Sequence, residues 1–217
     1  ALGDHTLTST TGYLEYEYFQ DCDCDFTSAS IFQALGNEAF DQFSQEFRIT
    51  SPGGETFDYI AGLYYQTNEL DFNDSIFVPD NSLLRLLNPA FQDISTRRFA
   101  NQTSDMWAAF AQVTWSITDS MRLIVGGRYS EEDKEATKTQ VHYAEAGFGS
   151  AGTATPAVDP TGEVPNVLFG LNPLFGAFAI EPYDEIRGDR EEKEFNPMAT
   201  FQVDILDDSM LYATYVE

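Results

Sequence analysis

Residues 43–66 give the strongest structural signal in the chain, because they read as two strands joined by a tight turn. Their sequence is FSQEFRITSPGGETFDYIAGLYYQ. In each arm mainly apolar side chains alternate with mainly polar ones, which is the period of two that a β-strand exposes. Between the arms Pro52 fixes φ, and Gly53 and Gly54 tolerate positive φ, so the chain can reverse sharply. The stretch is therefore predicted to be a β-hairpin.

The same alternation recurs in five further segments, which are residues 5–20, 104–118, 121–130, 194–206 and 209–217. Together with the hairpin they predict an all-β fold, an antiparallel meander of about seven strands. Pro197 removes a ladder hydrogen bond, and its position near the upper end of the sixth strand permits a β-bulge. The pattern leaves the facing of the last strand open. The clearest apolar face is that of the fourth strand, with Trp107, Ala109, Ala111, Val113, Trp115 and Ile117.

The predicted connections alternate strictly in length, and the short turns should therefore all lie at one end of the sheet. The long connections are 21–42, 73–102 and 144–191, and the short ones are 52–55, 118–120 and 206–208. Outer-membrane barrels have short periplasmic turns and long extracellular loops, and apolar faces about ten residues tall suit a lipid-facing band. A large soluble β-sandwich remains the alternative, since its strand faces also alternate.

The charge balance argues against one class of partner. The chain has 36 acidic and 11 basic residues and a formal net charge of -25, which repels nucleic-acid backbones. No window approaches the roughly 20 apolar residues of a membrane helix. The chain lacks an initiating Met and stops inside an alternating segment, so we expect a fragment of a longer protein.

No motif for catalysis, a cofactor or a metal stands out. No Ser, His and Asp set, phosphate loop or His-rich pattern is visible, so no enzyme activity and no cofactor are predicted. Cys22 and Cys24 are one residue apart, where a disulfide is expected to be strained and a two-thiolate metal site is short of ligands. A minor structural feature of a loop is the expectation for this pair.

Three segments together resemble TonB-dependent outer-membrane receptors. They are FSQEFRITSPGGETFDYIAGLYYQ, MWAAFAQVTWSITDSMRLIVGGRYSEEDKE and FNPMATFQVDILDDSMLYATYVE, in that order. The resemblance implies that residues 1–217 are part of the wall of a plugged barrel of roughly 22 strands. It places the plug domain, the box that contacts TonB and the barrel-closing strands outside these residues.

The resemblance implies active uptake of iron–siderophore complexes or similar scarce nutrients across the outer membrane of a Gram-negative bacterium. The implied partners are outer-membrane lipid and lipopolysaccharide, a ferric siderophore or other small nutrient, and the TonB complex through the plug. Two alternatives stay open: a passive outer-membrane porin, and a soluble adhesin or carbohydrate-binding sandwich. Acidic loops could also bind divalent cations that bridge lipopolysaccharide phosphates, although solubility alone explains such loops.

The connection 144–191 is the predicted ligand-facing element, because it is unusually apolar for an exposed loop. Such aromatic surface either covers a hydrophobic ligand or packs on itself. Acidic neighbours such as Asp184 and Glu185 favour neutral or cationic ligands, unless Arg98, Arg187 or Arg190 offset them. The candidate ligand-contact residues are Arg98, Phe169, Phe175, Phe178 and Tyr183.

Overall fold

The computed structural model describes residues 3–87, 95–143, 183–206 and 208–217. These form one seven-stranded antiparallel sheet in which each strand pairs with its neighbour in sequence. The predicted all-β meander is confirmed, as is the grouping of the short turns at one end. The strands are β1 Thr6–Cys22, β2 Gln33–Thr50, β3 Phe57–Phe77, β4 Ser95–Thr118, β5 Met121–Tyr143, β6 Tyr183–Leu206 and β7 Ser209–Val216, and a short helix α1 spans Leu83–Leu87.

The strand register places odd-numbered residues on the same face throughout the sheet. Every continuous ladder pairs odd-numbered residues with odd-numbered ones, as in the row in which Phe57, Trp115, Leu123 and Phe201 lie side by side. We call this side of the sheet the odd face and the opposite side the even face. The odd face is formed by the odd-numbered residues of β1–β5, of β6 from Ile186 onward and of β7. Because Leu211 pairs with Val203, the last strand presents Leu211, Ala213 and Tyr215 on the odd face.

Large apolar side chains on the odd face are exposed rather than packed in a core. Among the described residues, only Val78 and Ala108 are buried apolar residues. A soluble sandwich needs a second sheet over its apolar face, whereas the described residues form one sheet. The exposed odd-face side chains include Phe47, Phe57, Leu63, Trp107, Trp115, Val125, Phe195 and Phe201.

The long connections are shorter than predicted, because the strands continue beyond their apolar stretches. β1 ends at Cys22 and β2 begins at Gln33; β3 ends at Phe77 and β4 begins at Ser95; β5 ends at Tyr143 and β6 begins at Tyr183. The predicted spans 21–42, 73–102 and 144–191 were therefore wrong at their edges. Strand pairing is carried by backbone hydrogen bonds, so it can continue where both faces become polar and the alternation fades.

Pro197 sits in the middle of β6 without a bulge, which corrects the predicted upper-end position. It pairs with Gly127 of β5 in an unshifted register, and its carbonyl oxygen accepts from the backbone N–H of Glu217 (3.2 Å). Its nitrogen therefore also points to the β7 side, away from β5. Proline has no N–H to donate to the Glu217 carbonyl oxygen. The side-chain amide of Asn196 donates to that oxygen instead (3.4 Å).

Both ends of the sheet have specific hydrogen bonds. At the turn end, where 51–56, 119–120 and Asp208 lie, Gly53 (φ 88°) and Gly54 (φ 80°) adopt the predicted positive φ. Arg122 donates to Asp204 at 2.8 Å and so links the second turn to the third. At the opposite, loop end, the Ser82 hydroxyl donates to the Ile31 carbonyl oxygen at 2.6 Å. The connections 23–32 and 78–87 are therefore joined.

Candidate functional site

The even face holds a cavity of about 230 Å³ at the loop end. We call it the β1–β3 cavity, since strands β1, β2 and β3 and the start of the first long connection line it. It combines aromatic, amide and carboxylate groups in one recess. Its lining residues are Tyr18, Gln20, Cys24, Ala34, Leu35, Gly36, Asn37, Glu38, Phe72 and Asp74.

The cavity exists because one position in an even-face row has no side chain. Gly36 lies between Gln20 of β1 and Asp74 of β3 in the ladder. The next row toward the turn end places Glu38 between Tyr18 and Phe72. Side chains on adjacent strands of one face normally fill the space above the sheet, so a glycine between two longer residues leaves a recess.

The two carboxylates of the cavity are held by different donors. The Tyr16 hydroxyl donates to Glu38 Oε1 at 2.5 Å, and the Tyr16 ring stacks on Phe40 with centroids 5.3 Å apart. Arg98 Nε donates to Asp74 Oδ1 at 2.7 Å, and a second guanidinium nitrogen contacts Oδ2. This fork geometry fixes the Asp74 carboxylate and neutralises its charge more completely than one hydroxyl does for Glu38.

The connection 23–32 above the cavity is organised by Asp25. Oδ1 of this carboxylate accepts from the Thr27 backbone N–H at 2.9 Å, and Oδ2 accepts from that of Ile31 at 2.8 Å. Burial raises the pKa of Asp25, but hydrogen bonds from Thr27, Ile31 and Phe32 outweigh it and lower the pKa from 3.8 to about 2. The carboxylate is therefore ionised above about pH 2, and it accepts hydrogen bonds from the backbone N–H groups of Thr27, Ile31 and Phe32.

Cys22 and Cys24 form a disulfide at the end of β1, with their Cα atoms 5.1 Å apart. The sequence predicted only a minor loop feature and treated a disulfide as strained. The observed Cα separation lies within the usual range for disulfides, and Cys24 lines the β1–β3 cavity. Among the described residues no group of three or more His, Cys, Asp or Glu side chains could hold a metal ion.

Two of the predicted ligand-contact residues lie in one row at the loop end. Arg98 of β4 pairs with Gln140 of β5, which in turn pairs with the backbone of Tyr183 at the start of β6. Arg98 does not line the cavity but holds Asp74, which does. Phe169, Phe175 and Phe178 lie outside the described residues.

The sequence pattern did not reveal the cavity residues Gly36, Glu38 and Asp74, because 21–42 and the start of 73–102 were assigned to connections. The signal that could have found them is the even-position series that starts with Tyr16 and Tyr18. Pairing that series with residues 33–42 places Gly36 and Glu38 on the same face.

The odd face has a row of tyrosines that separates its apolar and acidic parts. Every second strand contributes one tyrosine whose hydroxyl donates to a carboxylate. On the turn side of this row the face is mainly apolar, apart from a polar group of Ser9, Thr11 and Gln45. On the loop side it carries acids such as Glu69, Asp71 and Asp133. The pairs are Tyr13–Glu15 (3.2 Å), Tyr65–Asp105 (2.9 Å), Tyr129–Glu131 (3.2 Å) and Tyr215–Glu217 (3.2 Å).

The tyrosine row crosses the ladder obliquely. Each tyrosine can be assigned to the β3 residue that lies in its row of paired residues. Tyr13, Tyr65, Tyr129 and Tyr215 lie in the rows of Thr67, Tyr65, Leu63 and Tyr59, respectively. The row thus moves eight residues over six strand-to-strand steps, about 1.3 residues per strand. Strands spaced about 4.8 Å apart and tilted by roughly 35–45° shift a line of constant height by about 1.0–1.4 residues per strand. The row therefore has the slope of a level line on a tilted barrel wall.

A model of the family described as TonB dependent receptor-like, beta-barrel matches residues 2–217. The chain belongs to this family. The ferric yersiniabactin uptake receptor FyuA from Yersinia pestis has the same fold over 99% of this chain, with a TM-score of 0.65 and 16% sequence identity. The chain covers 26% of FyuA, so it spans about a quarter of that receptor's length.

A second solved structure is the open form of the ferric-catecholate import receptor Fiu from E. coli K12, with 10% identity and a TM-score of 0.35. That match covers 98% of this chain and 35% of Fiu. No curated protein matches the chain in sequence. Within the part of the chain that the structure describes, no helix is long and apolar enough to cross a membrane.

Proposed function

We propose that this chain is part of the wall of an outer-membrane receptor that takes up iron–siderophore complexes or a similar scarce nutrient. The TonB complex would supply the energy through a plug domain elsewhere in the full-length protein. Support comes from membership of the TonB-dependent receptor-like barrel family over residues 2–217. FyuA, which shares the fold, is itself an uptake receptor by name.

The observation that carries the proposal is the oblique tyrosine row on the odd face. In lipid, apolar strand residues face the acyl chains, and aromatic girdles mark the two interfaces. Tyr65 and Tyr129 occupy such a boundary, because their rings adjoin the apolar band while their hydroxyls reach carboxylates. The proposal therefore orients the chain with its turn end toward the periplasm and its loop end outside the cell.

This orientation makes the even face the wall of the lumen. It carries small, polar and charged side chains such as Gly62, Gln112 and Arg128, beside aromatic ones such as Phe72 and Phe110. The β1–β3 cavity then opens in the outer half of the lumen. The proposal makes this cavity, rather than the apolar odd face, the part of the described chain available to a nutrient.

The experiment is an uptake assay with the full-length protein. A strain deleted for the receptor gene is complemented with the wild-type gene, and growth on single iron sources is scored beside uptake of radiolabelled ferric complexes. The matched control is the same strain with the inner-membrane TonB complex inactivated. We expect uptake of at least one complex that requires both the receptor and TonB.

Other outcomes would decide between the competing functions. Uptake that needs the receptor but persists without TonB would indicate a passive porin. Recovery of the full-length protein in the soluble fraction, without detergent, would indicate a soluble binding protein. Either result would overturn the proposed function.

A further inference from the structure

The glycine at the centre of the β1–β3 cavity is not required by the fold. A Cβ built on Gly36 meets only the Cβ of Gln20, at 3.9 Å, which is an ordinary contact. Gly36 is also absent from the described residues with positive φ. A glycine inside a strand weakens it and often marks close approach by a ligand or another backbone, so the space above Gly36 is a candidate binding site.

The size of the cavity limits that occupant. A cavity of about 150 Å³ holds a benzene molecule. The 230 Å³ of the β1–β3 cavity therefore admits one six-membered ring with several small substituents. Tyr18 and Phe72 flank Glu38 in one row of the even face. Either aromatic ring can stack on a flat or ring-shaped group.

The polar lining selects the substituents. Glu38 receives one hydroxyl donor, from Tyr16, and a carboxylate can accept several more hydrogen bonds. Asp74 is fixed by Arg98 yet still lines the cavity. The lining contains carboxylates and amides but no Lys or Arg, so an anionic substituent would face Glu38 without a compensating cation.

We propose that the β1–β3 cavity binds a hydroxyl-bearing ring without negative charge, stacked on Tyr18 or Phe72 and donating hydrogen bonds to Glu38 and Asp74. Such a ring would be one part of the transported nutrient, so this inference rests on the proposed function. It goes further by naming the chemical group and the strands that recognise it.

The test measures binding of three related probes to the full-length receptor, purified in a detergent without sugar headgroups. The probes are glucose, glucosamine and glucuronate, which share a hydroxylated ring and differ in charge. Ligand-observed NMR titration gives each dissociation constant. We expect saturable binding of glucose and glucosamine, with glucuronate at least tenfold weaker.

Three variants locate the binding. Gly36→Leu fills the cavity and should weaken glucose binding at least tenfold. Gly188→Leu is its matched control, because Gly188 lies on the even face of β6 and a Cβ there meets nothing within 4 Å. Glu38→Gln keeps the shape and removes the charge, so the difference between glucose and glucuronate should shrink. Equal yields of folded protein in the outer membrane make the comparison valid.

The inference fails if no probe saturates the wild-type receptor, if glucuronate binds best, or if Gly36→Leu binds glucose as well as Gly188→Leu does. An unchanged preference in Glu38→Gln would remove Glu38 from the recognition. TonB-dependent uptake without probe binding would leave the proposed function standing and overturn the cavity site. Probe binding at the cavity without TonB-dependent uptake would leave the cavity site standing and overturn the proposed function.

Discussion

Ala111 lies on the odd face midway along the apolar band of β4, between Ala61 of β3 and Gly127 of β5. In a lipid-facing band an arginine near the midplane costs about 2–4 kcal/mol. We expect Ala111→Arg to lower the free energy of unfolding of the full-length protein in lipid vesicles by that amount. Gln112→Arg, one residue along on the even face, should cost clearly less than Ala111→Arg, because its charge enters the lumen. Equal costs at the two positions would contradict the assignment of faces.

Gly62 is a glycine that packing does require. A Cβ there would lie 2.4 Å from Cζ of Phe110 and 2.8 Å from the backbone oxygen of Phe47. Overpacking of this kind costs about 1–3 kcal/mol, so Gly62→Ala should destabilise the protein by that amount in denaturant unfolding. Gly188→Ala has open space at its Cβ and should stay within about 0.5 kcal/mol of wild type.

A double-mutant cycle separates the two contacts of Gly62. Phe110→Ala removes the ring contact but leaves the backbone oxygen of Phe47, so it should relieve part of the cost of Gly62→Ala. Costs that simply add would show that Phe110 is not the obstacle.

At the residue scale, sequence reasoning assigned the face of nearly every residue in the apolar band. Trp107, Val113 and Phe195 could be placed because period-two alternation needs only the local sequence. The roles of Gly36 and Gly62 could not be separated in this way. One leaves space and the other avoids a clash, and this difference depends on neighbours from other strands.

At the scale of elements, the connection 23–32 depends on ionised Asp25. Because its pKa in the folded protein, about 2, is below the ordinary 3.8, its stabilising effect is present above about pH 4. That effect is lost as the pH falls toward 2. Pepsin, which cleaves beside aromatic residues, can report the opening of this loop at Phe26 or Phe32.

We expect pepsin cleavage in this loop, normalised to that of an unstructured peptide, to rise as the pH falls from 4 to 2. Asp25→Ala should be cleaved rapidly throughout this range, because the loop amides lose their acceptor. Asp23→Asn is the control, since Asp23 makes no described hydrogen bond to these amides. A wild-type cleavage rate that stays flat between pH 4 and 2 would refute this role of Asp25.

Strand ends were the least predictable elements. Residues 33–42 and 66–77 pair as regularly as the apolar band does, yet acids and amides occupy both of their faces. The alternation that marks a strand in the sequence comes from a difference in environment between its two faces. Where both faces contact water this difference disappears, while the backbone ladder continues.

For the whole molecule, the net charge of -25 is a poor guide to the charge on the even face. Acids such as Glu69, Asp71 and Asp133 lie on the odd face, which the proposed orientation turns outward. Most basic residues lie on the even face. They are Arg48, Arg98, Arg122, Arg128, Lys134, Lys138 and Arg190.

The preference for neutral or cationic ligands that the acidic sequence suggested stays a prediction. On the even face, the acceptor-rich cavity belongs to β1–β3. Lys134 and Arg190 of β5 and β6 are ion-paired with Glu132 and Glu192 on the same face. Which charges share a face depends on the three-dimensional register, because sequence composition sums both faces.

The seven-stranded sheet has two open edges among the described strands. β1 and β7 each pair on one side only among the described strands, so each leaves a row of backbone N–H and C=O groups without ladder partners. In lipid each unsatisfied group costs several kcal/mol, so residues 1–217 expressed alone should associate through these edges. Light scattering after size exclusion in detergent should show oligomers or aggregates for these residues and a single species for the full-length protein. A monodisperse monomer of residues 1–217 in buffer without detergent would instead require the exposed Phe57, Trp115 and Phe201 to tolerate water, and would count against a membrane wall.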